Sequence, residues 1–153
     1  MSKKEKEESL LENSCKNIYE RDENGRTVLH YAVDAKTVSL LVEKGVNVNV
    51  ADVEGYTALH LAVTEKRLEI VRELIKSGGN VNAEEYGNKC TPLHLACMVG
   101  EKEIVEELVK AGGEIEQADK FGMIAMDYAK NSKKITEVLK KETDRIEKLF
   151  MKG

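Results

Sequence analysis

The chain has 153 residues, 41% hydrophobic and 34% charged, enough to bury a core without disulfides or a metal and too apolar to be disordered throughout. Its 28 acidic and 24 basic side chains leave a net charge of −4, which argues against a general nucleic-acid binder, because phosphate contacts need a basic face. Cys15, Cys90 and Cys97 are odd in number and lack the close pairing of a zinc site, so free thiols, buried as small hydrophobes in a reducing compartment, are expected.

At the amino end, Met1-Ser-Lys-Lys-Glu-Lys-Glu-Glu has no apolar core of the secretory kind, and no later stretch reaches bilayer-spanning length. The expectation is an intracellular, cytoplasmic chain without a membrane segment, delivery into another cell remaining open. The first strong pattern is Thr27-Val-Leu-His-Tyr-Ala32, which returns as Thr57-Ala-Leu-His-Leu-Ala62, as Thr91-Pro-Leu-His-Leu-Ala96 and, degenerate, as Ile124-Ala-Met-Asp-Tyr-Ala129. His30, His60, His94 and Asp127 stand 30, 34 and 33 positions apart, a drift typical of natural loop-length variation and not of an idealised design. These hexapeptides and their period resemble the ankyrin repeat, with its Thr-Pro-Leu-His-x-Ala signature and roughly 33-residue period.

Before the first copy, Leu11 lies as far upstream of Thr27 as Leu41 lies upstream of Thr57, and Ile18 holds the place of Val48. Residues 4–20 therefore read as half a repeat, with Leu10, Leu11 and Ile18 covering the end of the stack and the lysines and glutamates of residues 3–8 facing water. Cys15 stands where later copies have glycine. In each full copy a helical apolar pattern around Leu41, Leu74 and Leu108 ends four residues later at Gly45, Gly78 and Gly112, which supply the left-handed conformation that closes a helix. Val48, Val81 and Ile115 follow and point back under the stack. The first copy is three residues short between Ala32 and Leu41, so its helices or their joint must be abbreviated. Thr27, Thr57 and Thr91 can cap the first helix of each copy, and Pro92 suits a first helical position.

Asp22-x-x-Gly25, Asp52-x-x-Gly55 and Asp119-x-x-Gly122 carry turn chemistry and predict projecting fingers. The third finger, Glu85 to Cys90, is one residue longer, carries no aspartate, and should deviate at its tip. In the last copy the second helix begins early, near Lys133. Its stripe of Ile135, Val138, Leu139, Ile146, Leu149 and Phe150 is interrupted by Glu142, Thr143 and Asp144, where a break is expected, with Asp144 and Glu147 capping a separate final helix. Residues 130–153 carry eight Lys/Arg against four Asp/Glu, a basic tail on an acidic body.

The resemblance implies an all-α, ankyrin-repeat solenoid of stacked helix-turn-helix repeats joined by β-turn or hairpin loops, with atypical terminal caps. The expected divisions are an amino-terminal cap over 1–21, repeats over 22–51, 52–84 and 85–118, a degenerate repeat over 119–141 and a helical extension over 142–153. It also implies that His30, His60 and His94 bond neighbouring loop backbone and stiffen the fingers; being spread along a line, they do not suit one metal ion. No nucleotide-binding, nucleophile-elbow or His-Glu-x-x-His pattern is present, and neither enzyme activity nor a cofactor is expected.

What the family uses for function is its concave side. Mapped residue by residue, that side offers Glu23, Asn24 and Arg26; Val53, Glu54 and Tyr56; Tyr86, Asn88 and Lys89; and Lys120, Phe121 and Met123. Thr64, Glu65, Met98 and Val99 come from the ends of the first helices. Interfaces favour Tyr, Phe and Met, and the expected role is non-catalytic capture of a protein partner. Two alternatives are self-association of an otherwise monomeric chain through Ile146, Leu149 and Phe150, and weak nucleic-acid contact through Lys130, Lys133, Lys134, Lys140 and Lys141.

Overall fold

A computed structural model describes residues 2–6 and 18–152. The expectations for Leu10, Leu11 and Cys15 lie outside the described residues. After a 3-10 turn at Val28–Tyr31, the chain forms α1 (Ala35–Glu43), α2 (Ala58–Thr64), α3 (Leu68–Lys76), α4 (Pro92–Val99), α5 (Lys102–Lys110), α6 (Ala125–Ala129) and α7 (Lys133–Met151). There is no strand among the described residues.

The helices pile into two rows. The 3-10 turn, α2, α4 and α6 touch in succession as an inner row, and α1, α3, α5 and α7 as an outer row, each inner helix from α2 onward packing on its own outer partner. Their sequences explain the division. In α3 and α5 the buried positions Ile70, Val71 and Leu74, or Ile104, Val105, Leu108 and Val109, recur at one, three and four, leaving a charged outer face. The inner α2 and α4 bury small residues, Ala58, Ala62, Ala96 and Cys97, which let neighbouring repeats approach. One continuous apolar core runs from Val28 to Leu139, with Ile18 half-buried against its first end.

The outer helices α1, α3 and α5 stop by the same device. Gly45, Gly78 and Gly112 adopt φ of 89°, 91° and 93°. The amides just beyond them turn back to Leu41, Leu74 and Leu108 carbonyls at 3.1, 2.8 and 2.9 Å, closing the last turn. Val48, Val81 and Ile115 then fold under the stack and are buried. The three residues missing from the first repeat are absorbed by its inner element, which shrinks to a four-residue 3-10 turn, while Asp34 caps α1 by accepting from the Thr37 amide at 2.7 Å.

One expectation fails. No break occurs at 142–144: α7 runs unbroken through Glu142, Thr143 and Asp144. The Thr143 hydroxyl donates to the Leu139 carbonyl at 2.9 Å, and Arg145 pairs with Glu142 one turn back. Ser132 caps this helix at its start, and neither Asp144 nor Glu147 caps a second one. The segment from 142 onward is thus the overhanging end of the last outer helix.

Candidate partner-binding face

The face is built on a histidine relay that locks each repeat to the next. The Thr27, Thr57 and Thr91 amides donate to Nδ1 of His30, His60 and His94 at 3.1, 3.1 and 3.0 Å. An accepting Nδ1 puts the proton on Nε2, which donates across the repeat boundary to the Tyr56, Cys90 and Met123 carbonyls at 3.0, 3.2 and 3.0 Å. All three rings are buried. Burial holds the His30 and His60 imidazoles below the usual histidine range, favouring this neutral form. In the last repeat Asp127 stands in the same place, accepting from the Ile124 amide at 2.9 Å.

The fingers are tied internally by one carboxylate each. Asp22 accepts from the Asn24 and Arg26 amides at 2.9 Å. Asp52 does so from Glu54 and Tyr56, also at 2.9 Å, and Asp119 from Phe121 and Met123 at 2.8 and 3.0 Å. In the longer third finger Glu85 replaces aspartate, and its extra methylene spans the extra residue, reaching the Gly87, Asn88 and Cys90 amides at 2.7, 2.8 and 3.0 Å. The tip deviates at Lys89, whose φ is 58°. Successive fingers are also bonded to one another, the Val53, Tyr86 and Lys120 amides donating to the Asn24, Glu54 and Asn88 carbonyls at 3.0, 2.9 and 2.8 Å.

On this ladder Val53, Tyr86 and Phe121 are 63%, 65% and 67% exposed, and Met98 is 45% exposed. Val53 and Tyr86 rest on the glycines of the preceding fingers: a Cβ on Gly25 would lie 3.0 Å from Val53 Cγ1, and one on Gly55 2.7 Å from Tyr86 Cδ1. Glu23, Asn24, Glu54, Thr64, Glu65, Asn88, Lys89 and Lys120 are exposed beside them. Arg26, Tyr56, Val99 and Met123 are only half-exposed. Tyr56 packs edge-on against the His60 ring at 5.7 Å, and Arg26 pairs with Asp52 at 3.1 Å, so both also serve the stack.

Three sets of contacts escaped the sequence reading. Tyr31 and Tyr128 fill the variable fifth place of the hexapeptide in the first and last copies, and their hydroxyls donate to Asp22 and Asp119. Burial raises those carboxyls, but the tyrosine hydroxyl and backbone amides outweigh it and hold both below the usual range. On the opposite edge Asn49 accepts from the Asn80 amide at 2.7 Å and donates to the Gly78 carbonyl at 3.1 Å, and Asn82 repeats this with Glu114 and Gly112 at 2.8 and 3.2 Å. The Asn-x-Asn spacing at 47–49 and 80–82 was the available signal. Lastly, residues 3–6 do not simply face water: Lys3 pairs with Glu65 and Lys6 lies over Tyr31.

Cys90 and Cys97 are buried free thiols, pushed up by burial to about 11 and about 12, far from the reactive thiolate range. Among the described residues no group of three or more His, Cys, Asp or Glu could hold a metal ion, and no helix is long and apolar enough to cross a membrane. Lys130, Lys133, Lys134, Lys140 and Lys141 are all exposed. At 100° per residue the last four split into two rows, 133 with 140 and 134 with 141, with Glu137 between them.

A search of curated proteins finds no match. The family model described as ankyrin repeats (3 copies) matches residues 3–85 and 82–148, nearly the whole chain. Repeats of that family generally mediate protein–protein interaction. The repeated hexapeptides, the two rows of helices and this match lead to one conclusion: the chain belongs to the ankyrin-repeat family.

Proposed function

We propose that this protein is a non-catalytic interaction module, an adaptor, scaffold or inhibitor, that captures a protein partner on its fingers and the adjoining ends of its inner helices. The observation that carries the reading is the row of Val53, Tyr86 and Phe121, large apolar side chains held two-thirds exposed on fingers whose backbones are hydrogen-bonded together. Exposed apolar anchors on a rigid platform are what a binding surface needs, because little entropy is lost on docking.

Tyr86→Ala with Phe121→Ala is the informative pair, since neither side chain is buried and both residues keep their backbone roles. Capture of partners from a cell extract is expected to fall at least tenfold, as loss of two anchors worth about 1 kcal/mol or more each implies. Stability should shift by no more than about 0.5 kcal/mol. Undiminished capture by the folded double variant removes this assignment.

A second reading rests on the overhanging end of α7, where Leu149, Phe150 and Met151 are exposed and Ile146 is half so. Self-association through this stripe would be lost in Leu149→Ser with Phe150→Ser. Sedimentation showing the unchanged chain to be monomeric at high concentration eliminates it.

A further inference from the structure

Residues 2–6 form one helical turn laid against the inner side of the first two repeats. The turn is closed locally by a reciprocal pair, the Ser2 amide donating to Glu5 Oε2 at 3.0 Å and the Glu5 amide to Ser2 Oγ at 3.2 Å, with the Lys6 amide reaching the Ser2 carbonyl at 3.0 Å. Its Lys3 and Lys6 side chains, one helical turn apart, enter a groove of about 170 Å³ that Arg26, Tyr31, Leu61 and Glu65 also line. Lys4, between them, is exposed.

The two lysines meet two different acceptors. Lys3 Nζ donates to both oxygens of Glu65, at 3.0 and 2.8 Å, although the same carboxylate already pairs with Arg67 Nε at 2.9 Å. Burial in this seat outweighs the Glu65 charge and lowers the Lys3 amine below the ordinary lysine range. Lys6 Nζ lies 5.4 Å from the centre of the Tyr31 ring. That ring donates its hydroxyl to the Asp22 carboxylate, which enriches its π-system and suits it to a cation. Leu stands at the same place in the second and third repeats, at Leu61 and Leu95, so the aromatic acceptor belongs to the first repeat within this stretch.

We infer that the inner surface of the first two repeats is a binding site for a helical turn carrying two lysines three positions apart, and that residues 2–6 of the same chain are its occupant. Each contact is partly exposed and weak singly, but attachment within one chain supplies an effective concentration of roughly millimolar, enough to keep weak contacts filled. The site extends the concave-face reading to the amino-terminal end, and its test needs no partner, so failure of the finger assignment leaves it standing.

The test is residue-resolved acetylation of the full chain with limiting amine reagent at low salt, read by mass spectrometry. Lys3 is expected to react about threefold or more slowly than its neighbour Lys4, because Glu65 and the groove cover its amine and this cover exceeds the gain in free amine that its lowered pKa alone would give; rising salt, by loosening the ion pair, should erase the difference. Glu65→Gln should bring Lys3 to the rate of Lys4, and Tyr31→Leu should release Lys6, with helical content by circular dichroism unchanged in both. Equal rates for Lys3 and Lys4 in the unaltered chain, or protection that survives Glu65→Gln, overturns the inference. Protection that fades on dilution places the segment on a second copy and overturns the assignment within one chain.

Discussion

His94 and Asp127 hold the same place in consecutive repeats, and the difference between them shows what the place requires. Both accept a hydrogen bond from the amide three residues earlier. Only the histidine also has a donor, and it is spent on the Met123 carbonyl of the next finger. After Asp127 no further finger follows among the described residues, so a side chain that only accepts is sufficient. The same bonding makes the stack sensitive to acid. Protonating His30 or His60 puts a hydrogen on the Nδ1 that faces the Thr27 or Thr57 amide, and burial already lowers both groups in the folded chain. The unfolded chain, with a histidine value of about 6.5, therefore takes up protons first. The stability these two residues contribute is complete above about pH 6.5 and declines as the pH falls from there toward their folded values, with a slope of at most about 1.4 kcal/mol per pH unit for each. Urea midpoints should be level from pH 8 to 7 and drop by pH 5.5; level midpoints down to 5.5 would contradict the assigned tautomer. The histidine spacing was plain in the sequence. The tyrosine-to-aspartate bonds at Tyr31 and Tyr128 were not, because they depend on where a hydroxyl ends after the finger has folded back.

Among the elements, a finger and a helix end show how the same residue type can carry different loads. Gly55 and Gly78 have nearly equal φ, 88° and 91°, yet a Cβ on Gly78 would meet nothing within 4 Å, whereas one on Gly55 would lie 2.6 Å from the Tyr86 amide nitrogen. Gly78→Ala should cost about 1–2 kcal/mol for left-handed backbone alone. Gly55→Ala adds a clash with a backbone atom that cannot yield without loosening the Tyr86-to-Glu54 hydrogen bond, so its cost should exceed that of Gly78→Ala by about 1 kcal/mol or more. Equal urea midpoints for the two variants would show that the fingers are not mechanically joined. The length of the third finger was legible as one extra residue, but Glu85 as its organiser was not, since glutamate carries no turn signal and acts here through reach. The unbroken α7 was misread for the opposite reason. Glu142-Thr143-Asp144 interrupts the apolar stripe where the helix leaves the stack, and there the half-buried Glu142 and Thr143 find partners in Arg145 and the Leu139 carbonyl while Asp144 meets water, so nothing in the surroundings ends the helix.

For the whole molecule, the fold is a line and not a ball: among the described residues the main helix contacts run between adjacent repeats, and stability is close to a sum of repeat terms and interface terms. The period, the helix pairs and the stacking order follow from the sequence alone because each is set within one repeat or between adjacent ones. The repeats are nonetheless unequal. Interior copies have a full inner helix capped by a threonine hydroxyl that accepts from the histidine amide, at Thr57 and Thr91. The first has only the turn Val28–Tyr31. The far end of α7 past 142 lies largely outside the stack, with its residues mostly exposed. Native-state hydrogen exchange should expose this gradient. The His30 and Ala32 amides, whose bonds at 3.1 and 3.2 Å close the 3-10 turn, should exchange at least tenfold faster than the Val71 and Val105 amides of α3 and α5, a gap of about 1.4 kcal/mol in opening free energy. Amides of α7 beyond Thr143 should exchange fastest among the helices, since opening them uncovers almost no core. The order matters for the proposed role, because the finger that docks Tyr86 is anchored on the repeats that open last, and a partner bound there would leave the first repeat's fluctuations unchanged. Uniform protection from Val28 to Leu139 would mean that the stack opens as one unit and that the shortened first repeat carries no weakness.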